Sequence, residues 1–589
     1  MGLLAPALAA KDTWLRVSAP EFTLITSLPQ RDAIAWAGEF SHYVAAMRSF
    51  FRNGDRELAP LTVVIFARER DFEQYRPLGA DGRPQLMAGF FSRQPSWAIA
   101  GLASLNSPED VRRTIFHEGV HWFLSQNDRV NPVWLDEGLA EVFSTFRATK
   151  TDAEWGRAID EHVALLRLND TVSLKDALFA AHGDLFGNDS LRTSFVYAKS
   201  WEFAHFVIFG EHDIPRDALG KYAQLLSQAM EPDEAFTRAF GKTYDQMDKL
   251  LEGYLRRGRY HIARQPLTNV APPKTDPAPP CEVEFALSRL ALVAHRKSLA
   301  IDHARSAIAL ADTDPRGHEA LGFALKDDGD IAGALAEFTR AKACGSRDST
   351  TYFELAVAAQ NDGADPGGRI NLAPAEARTI ANNYERAINL HPQFREAYQN
   401  LAGVIGVAEP WGDTDRQFFD LGHQLYPRDA MIRIGRLVLM DRAGDHTAAR
   451  AELDQLLAKE DELPASARNF ARRLDDAWEQ QAVASRIDEL SAAKNFREAI
   501  AYIDERLEHG VGSSLRGQLA RMREEFQVAI KTQLVQDAIA EQRWADARRI
   551  CIELLSSKAA PPIRQQARRT LDELDRRKLG LEKERADGH

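Results

Sequence analysis

Residues 117–141 read HEGVHWFLSQNDRVNPVWLDEGLAE. His117 and His121 are four positions apart, so on a helix they leave the same face one turn apart, and both rings can reach one metal ion about 2 Å from each ring nitrogen. Glu118 projects beside them, where a carboxylate can take a proton from metal-bound water. The surrounding residues predict that helix. Ser107-Pro108-Glu109-Asp110 is a capping-box start with Pro at the first helical position, and Val111, Ile115, Phe116 and Val120 form an apolar stripe.

A catalytic zinc usually keeps three protein ligands and leaves a fourth position to water. The second half of the stretch, Trp134 to Glu141, is again helix-like. Its Glu137 and Glu141 share a face, so one can bind metal while the other orients a ligand histidine. Between the two segments, Asn127-Asp128 and Asn131-Pro132 form a turn that lets the helices lie antiparallel.

HExxH followed by WLDEGLAE resembles the gluzincin metallopeptidases, the group that includes thermolysin and the membrane alanyl aminopeptidases, and most closely their small bacterial peptidase-MA-like relatives. The resemblance covers roughly residues 12 to 260. It implies an α+β thermolysin-like zincin domain with Zn²⁺ held by His117, His121 and Glu137, Glu118 as general base, and Glu141 as the acidic residue behind a ligand histidine. Tyr197-Ala198-Lys199-Ser200 resembles the Y-x-K-G element of the aminopeptidase branch, with Ser200 in place of Gly. That match implies that the Tyr197 hydroxyl faces the zinc and stabilises the oxyanion. His205, two turns further along the same expected helix, reads as a structural histidine. The interval from His121 to Glu137 is slightly shorter than in the aminopeptidases. MAGFF at 87–91 also lacks the acidic residue of G-x-M-E-N that grips a free amino terminus. The expected activity is therefore peptide-bond hydrolysis of the endopeptidase kind, while the same site chemistry is open to a non-peptide ester or amide.

Upstream, FTLITSL (22–28) and LTVVIFA (61–67) read as strands with a helix between them through AIAWAGEFSHYVAAMRSFF. Gly89 to Ser92 and Trp97 to Ala103 read as two further strands, either of which is expected to pair with an extended substrate backbone.

Downstream, RQPLTNVAPPKTDPAPP (264–280) carries six prolines, which forbid helix and favour a semi-rigid extended spacer. A linker is expected over 263–281, dividing a metallopeptidase domain (11–262) from a helical domain (282–589). Leu321, Gly322, Leu325, Gly329, Ala334, Phe338 and Ala341 stand where two antiparallel helices of a 34-residue unit must touch, a pattern that resembles the tetratricopeptide repeat. Further units start near Ser349, interrupted by GADPGGRINLAP, and near Arg395. Ala449, Ala499 and Ala547 repeat the close-contact position. The resemblance implies an all-α solenoid whose concave surface holds a protein or peptide partner. The charged run RRKLGLEKERADGH reads as a solvated helix end and tail.

Composition limits the alternatives. Of 589 residues, 44% are hydrophobic and 27% charged, as in a globular protein. The net charge of -12 speaks against a nucleic-acid partner, and no apolar run approaches the roughly 20 residues of a membrane span. Three scattered cysteines form neither a disulfide framework nor a CxxC metal site. The opening MGLLAPALAA (1–10) looks like a truncated signal segment, so a periplasmic or secreted location is expected, with a cytoplasmic one as the alternative. Two functions follow from these readings: a zinc metallopeptidase with a repeat array, or a repeat adaptor whose metallopeptidase-like domain is inactive.

Overall fold

The computed structural model describes residues 13–51, 58–79, 82–85, 87–103, 108–124, 132–168, 173–179, 190–227, 230–363, 371–509 and 513–586. The expected cap at Ser107 and most of the expected 127–132 turn lie outside them. The chain forms two compact units, one reaching to Leu425 and one from Tyr426 onward.

The described residues of the first unit form nine strands: β1 (Leu15–Ser18), β2 (Phe22–Thr26), β3 (Leu61–Phe66), β4 (Gly89–Arg93), β5 (Ala98–Ala103), β6 (Arg147–Ala148), β7 (Asp152–Trp155), β8 (Ala263–Pro266) and β9 (Lys274–Pro277). Six of them form one sheet in the order β4-β5-β3-β2-β1-β9, and the rest form a small sheet β6-β7-β8. The central β2, β3 and β5 are parallel, while β4, β1 and β9 join antiparallel. Of the two strands expected to be open to a substrate, β5 is interior, paired on both sides, so among the described residues only β4 offers a free edge.

The central strands bury both faces, as near-continuous apolar runs should. Val63 and Ile65 face one core, Val64 and Phe66 the other. The first core is roofed by α1 (Gln30–Phe51) and α2 (Pro108–Leu124), with α3 (Val133–Ser144), α4 (Asp160–Leu168) and α5 (Ser190–Phe209) packed beyond. The opposite face is covered by α6 (Pro280–Val293), whose Leu287, Leu290 and Ala291 pack with Ile25, Val64 and Ile99. A Cβ on Gly101 of β5 would lie 2.5 Å from Leu290 Cδ1, so this helix sits directly on the sheet.

The proline-rich stretch is therefore not a free spacer. It is extended, as its prolines require, but Ala263–Pro266 pairs with β7 and Lys274–Pro277 with β1. Both are edge strands, where a proline's missing N–H leaves no gap in the ladder.

Among the described residues, everything from Pro280 onward is helix and connection. Asp314 caps α8 (Pro315–Asp328), which follows α7 (Lys297–Leu310) and ends at a left-handed Gly329. It pairs with α9 (Ile331–Ala343), and a Cβ on Gly322 would lie 2.5 Å from the Phe338 ring. That close approach is what the small and large residues at repeat offsets predict. The array continues through α10 (Ser349–Asp362), α11 (Pro374–Leu390) and α12 (Arg395–Val404). In the second unit, helices over Ala430–Arg442, Ala465–Ala492 and Ser513–Ala540 alternate with shorter ones over His446–Leu457, Phe496–His509 and Trp544–Ser556. Ala449, Ala499 and Ala547 are fully buried on the shorter ones. The last helix, Pro561–Ala586, includes the start of the charged terminal run.

Candidate metal centre

Two glycines inside the motifs let the helices meet. A Cβ on Gly119 would lie 2.7 Å from the Tyr43 ring, and Tyr43 donates its hydroxyl to the Phe116 carbonyl at 2.6 Å, tying α2 to α1. A Cβ on Gly138 would lie 2.5 Å from the Ser200 carbonyl oxygen. At that crossing α3, which carries Glu137, presses against α5, which carries Tyr197.

His117, His121 and Glu137 come together at this junction. His117 Nε2 lies 3.2 Å from His121 Nε2 and 3.2 Å from Glu137 Oε2, and His121 Nε2 lies 3.5 Å from the same oxygen. Tetrahedral bonds of 2.0–2.2 Å make ligand-to-ligand edges of about 3.3–3.5 Å, so the triangle has the size of one face of a zinc site. Glu137 Oε2 is buried and makes no hydrogen bond among the described residues. Two imidazoles and a carboxylate, all on rigid helices, with an orphaned oxygen aimed at both rings, are the donor set a divalent transition ion takes.

The electrostatics of the metal-free cluster agree. Burial works to raise the Glu137 pKa, but the facing His117 and His121 overcome it and hold the group down at about 2. Burial likewise disfavours a charged His117, yet Glu137 and Glu141 push its pKa well above the usual histidine value. A proton thus stands in where the cation would bind. Glu118 titrates above the usual glutamate range, through burial first, with His117 and His121 opposing and Glu137 and Glu141 reinforcing. A carboxyl poised upward suits a group that takes and returns a proton.

Glu141 stands behind the cluster, its Oε1 3.3 Å from His117 Nδ1. Its other oxygen lies 3.2 Å from His162 Nε2 on α4 and 3.7 Å from an Arg113 guanidinium nitrogen on α2. Tyr197 faces the same space, its ring centroid 6.1 Å from that of His117. Burial and then the carboxylates of Glu137, Glu118 and Glu141 raise its pKa, so the phenol stays a neutral donor. A cleft of about 500 Å³ opens here, lined by Arg113, His117, Glu141, Glu161, His162 and Tyr197 among others.

His205 is not part of this group. It is fully buried, with Nε2 2.7 Å from the Gly156 carbonyl and Nδ1 2.8 Å from the Tyr254 hydroxyl, and burial lowers its pKa to about 4. A carbonyl can only accept, so Nε2 carries the proton and Nδ1 accepts from the tyrosine. Lys199 turns away to Glu202 at 2.9 Å. The residues that sequence reading passed over are Arg113 and His162. Arg113 was within reach, being one turn before His117 on the same face. His162 was not, because only tertiary packing brings α4 to Glu141.

No family model matches the chain, and no curated protein matches it. Among solved structures it is similar to a tetratricopeptide repeat protein from Parabacteroides merdae at 13% identity, over 50% of this chain and 99% of that one, with a TM-score of 0.22. Yeast Tom70 matches at 13% identity over 80% of this chain and 88% of its own, with a TM-score of 0.20. The P58(IPK) TPR domain matches at 12% identity over 50% and 97%, with a TM-score of 0.15. These scores are too low to argue a shared overall fold, so the repeat character of the array rests on its own helix pairs.

Proposed function

We propose that the chain is a zinc-dependent peptide hydrolase whose helical array holds a polypeptide. The observation that carries this reading is the triangle of His117 Nε2, His121 Nε2 and Glu137 Oε2, with edges of 3.2, 3.2 and 3.5 Å. Zinc bound there supplies Lewis acidity, acidifying a water and polarising a carbonyl. Glu118 accepts the proton of the attacking water and delivers it to the leaving amine. The Tyr197 hydroxyl donates to the oxyanion that develops on the carbonyl. Strand β4 pairs with the substrate backbone as an added strand. Without an acidic grip for a free amino terminus, cleavage falls inside a chain.

Metal analysis combined with Glu118→Gln tests the proposal. Expected are about one zinc per chain in both proteins, cleavage of a broad peptide library by the wild type, and loss of about 10²–10⁴-fold in the variant. Zinc-loaded wild type that cleaves nothing in the library overturns it.

The second reading is a repeat adaptor whose zincin-like domain does no hydrolysis. What favours it is that helical hairpins make up all the described chain beyond Pro280. A protein-binding role for the array is common to both readings.

A further inference from the structure

A second and larger cleft, about 730 Å³, lies within the first unit, where the array meets the sheet. One wall is Ala59, Pro60 and Trp97, from the starts of β3 and β5, and the other is Phe285, Arg289 and Arg347, from α6 and the α9–α10 connection. The volume and the mix of apolar surface with a few polar groups are those of a ligand site.

The walls are locked together. Ser96, in the β4–β5 turn, is hydrogen-bonded to Asp348 at 3.1 Å and to Thr350 at 2.5 Å. The Arg289 guanidinium lies 4.3 Å from the ring centroids of both Trp97 and Phe285 and donates to Asp348 at 2.5 Å. The metal-site helix reaches the same place. Trp122, next to His121, donates its indole N–H to the Ala59 carbonyl at 3.1 Å. Edge strand β4 ends at the turn that carries Ser96. Its five residues span about 16 Å, and the turn that follows them carries Ser96 and Trp97 of the cleft wall.

The walls carry the carboxylates of Asp314, Glu319 and Asp348, yet three of their donors find no partner. Trp97 Nε1, Arg289 Nε and Ser349 Oγ are buried and have no hydrogen-bond partner among the described residues. Native proteins rarely leave such groups unpaired. An extended polypeptide brings a carbonyl acceptor every residue, while the prolines and leucines of the rim suit its side chains.

We propose that this cleft binds the segment of a polypeptide substrate that flanks the scissile bond, making the array and the sheet joint walls of one exosite. The proposal rests on the hydrolase reading for the word substrate, and its test does not depend on hydrolysis. Full-length Glu118→Gln protein is titrated into fluorescein-labelled casein, an unfolded polypeptide, and followed by anisotropy. The same is done with Thr313→Trp and Arg347→Trp added, two exposed rim positions where a large ring obstructs the cleft. Expected is saturable binding that weakens at least tenfold when the rim is blocked, with the thermal midpoint unchanged. Arg347→Glu alone serves as the milder variant should the double one unfold, and about threefold weakening is expected. Equal affinity in open and blocked proteins, or no casein binding by the open one, overturns the exosite. Rim-dependent binding with a wild type that cleaves nothing supports the exosite and removes only the hydrolase.

Discussion

His117 presents its Nδ1 to Glu141 Oε1 at 3.3 Å and its Nε2 to Glu137 Oε2 at 3.2 Å, so the two carboxylates bracket a single imidazole. When a metal takes Nε2, the ring keeps one proton, and Glu141 can only accept it at Nδ1. This fixes the tautomer and strengthens the nitrogen that faces the ion. Glu141→Gln is expected to weaken zinc binding 10–100-fold, read by competition with a chromophoric chelator. An unchanged zinc Kd would take Glu141 out of this role.

The same bracket sets a pH dependence. His117 in the metal-free protein has a raised pKa, so metal entry must expel a proton. Zinc affinity should tighten about tenfold per pH unit from pH 5 up to that raised value and then level off. A flat Kd between pH 5 and 8 contradicts this. For Glu137 the sign is opposite: its folded pKa of about 2 lies below the ordinary 4.5. The stability it contributes to the metal-free protein is present above pH 4.5 and lost as the pH falls toward 2. Thermal midpoints of the metal-free wild type should decline over that window more steeply than those of Glu137→Gln.

Tyr197→Phe removes one donor and little volume. Loss of about 10²-fold in kcat, with KM and zinc content unchanged, is expected for a group that acts only as charge develops on the carbonyl. A variant with wild-type kcat would leave Tyr197 as packing between α5 and the metal helices.

Gly138→Ala drives a methyl into the Ser200 carbonyl, which is backbone and cannot swing aside. A destabilisation of about 1–3 kcal/mol is expected in denaturant unfolding. Gly220→Ala, on a helix where a Cβ meets nothing within 4 Å, should instead be neutral or stabilising. Equal effects at both sites would show that α3 and α5 are not in forced contact.

Because α6 covers one face of the sheet, cutting the chain after residue 262 uncovers Val64, Phe66 and Ile99. That fragment should aggregate or unfold without cooperativity, whereas one ending at Leu425 should fold. Leu290→Ala in the full chain should cost about 2–5 kcal/mol. A well-behaved 1–262 fragment would show that the sheet does not need the array.

Local patterns made much of this readable in advance. Four-residue spacing placed His117 beside His121 and Glu137 beside Glu141, because the helical repeat alone decides which side chains share a face. The apolar runs at 22–26, 61–66 and 98–103 declared their strands for a similar reason: both their faces are buried. The short β1, β6, β7, β8 and β9 carry no such signal, since two to four residues are too few to display a period. The prolines of 264–280 misled because they dictate an extended backbone without saying whether a strand lies beside it.

The sequence by itself therefore determined the metal-ligand residue types, their pairing on helix faces, and the succession from an α+β part to a helical one, since each depends on chain neighbours a turn or a pleat apart. Only tertiary structure decided that Glu137 reaches both histidines, that His162 and Arg113 join Glu141, that β4 rather than β5 is the open edge, and that α6 belongs to the core of the sheet. Those relations are set by which surfaces bury each other across tens or hundreds of residues, and no local period encodes that choice.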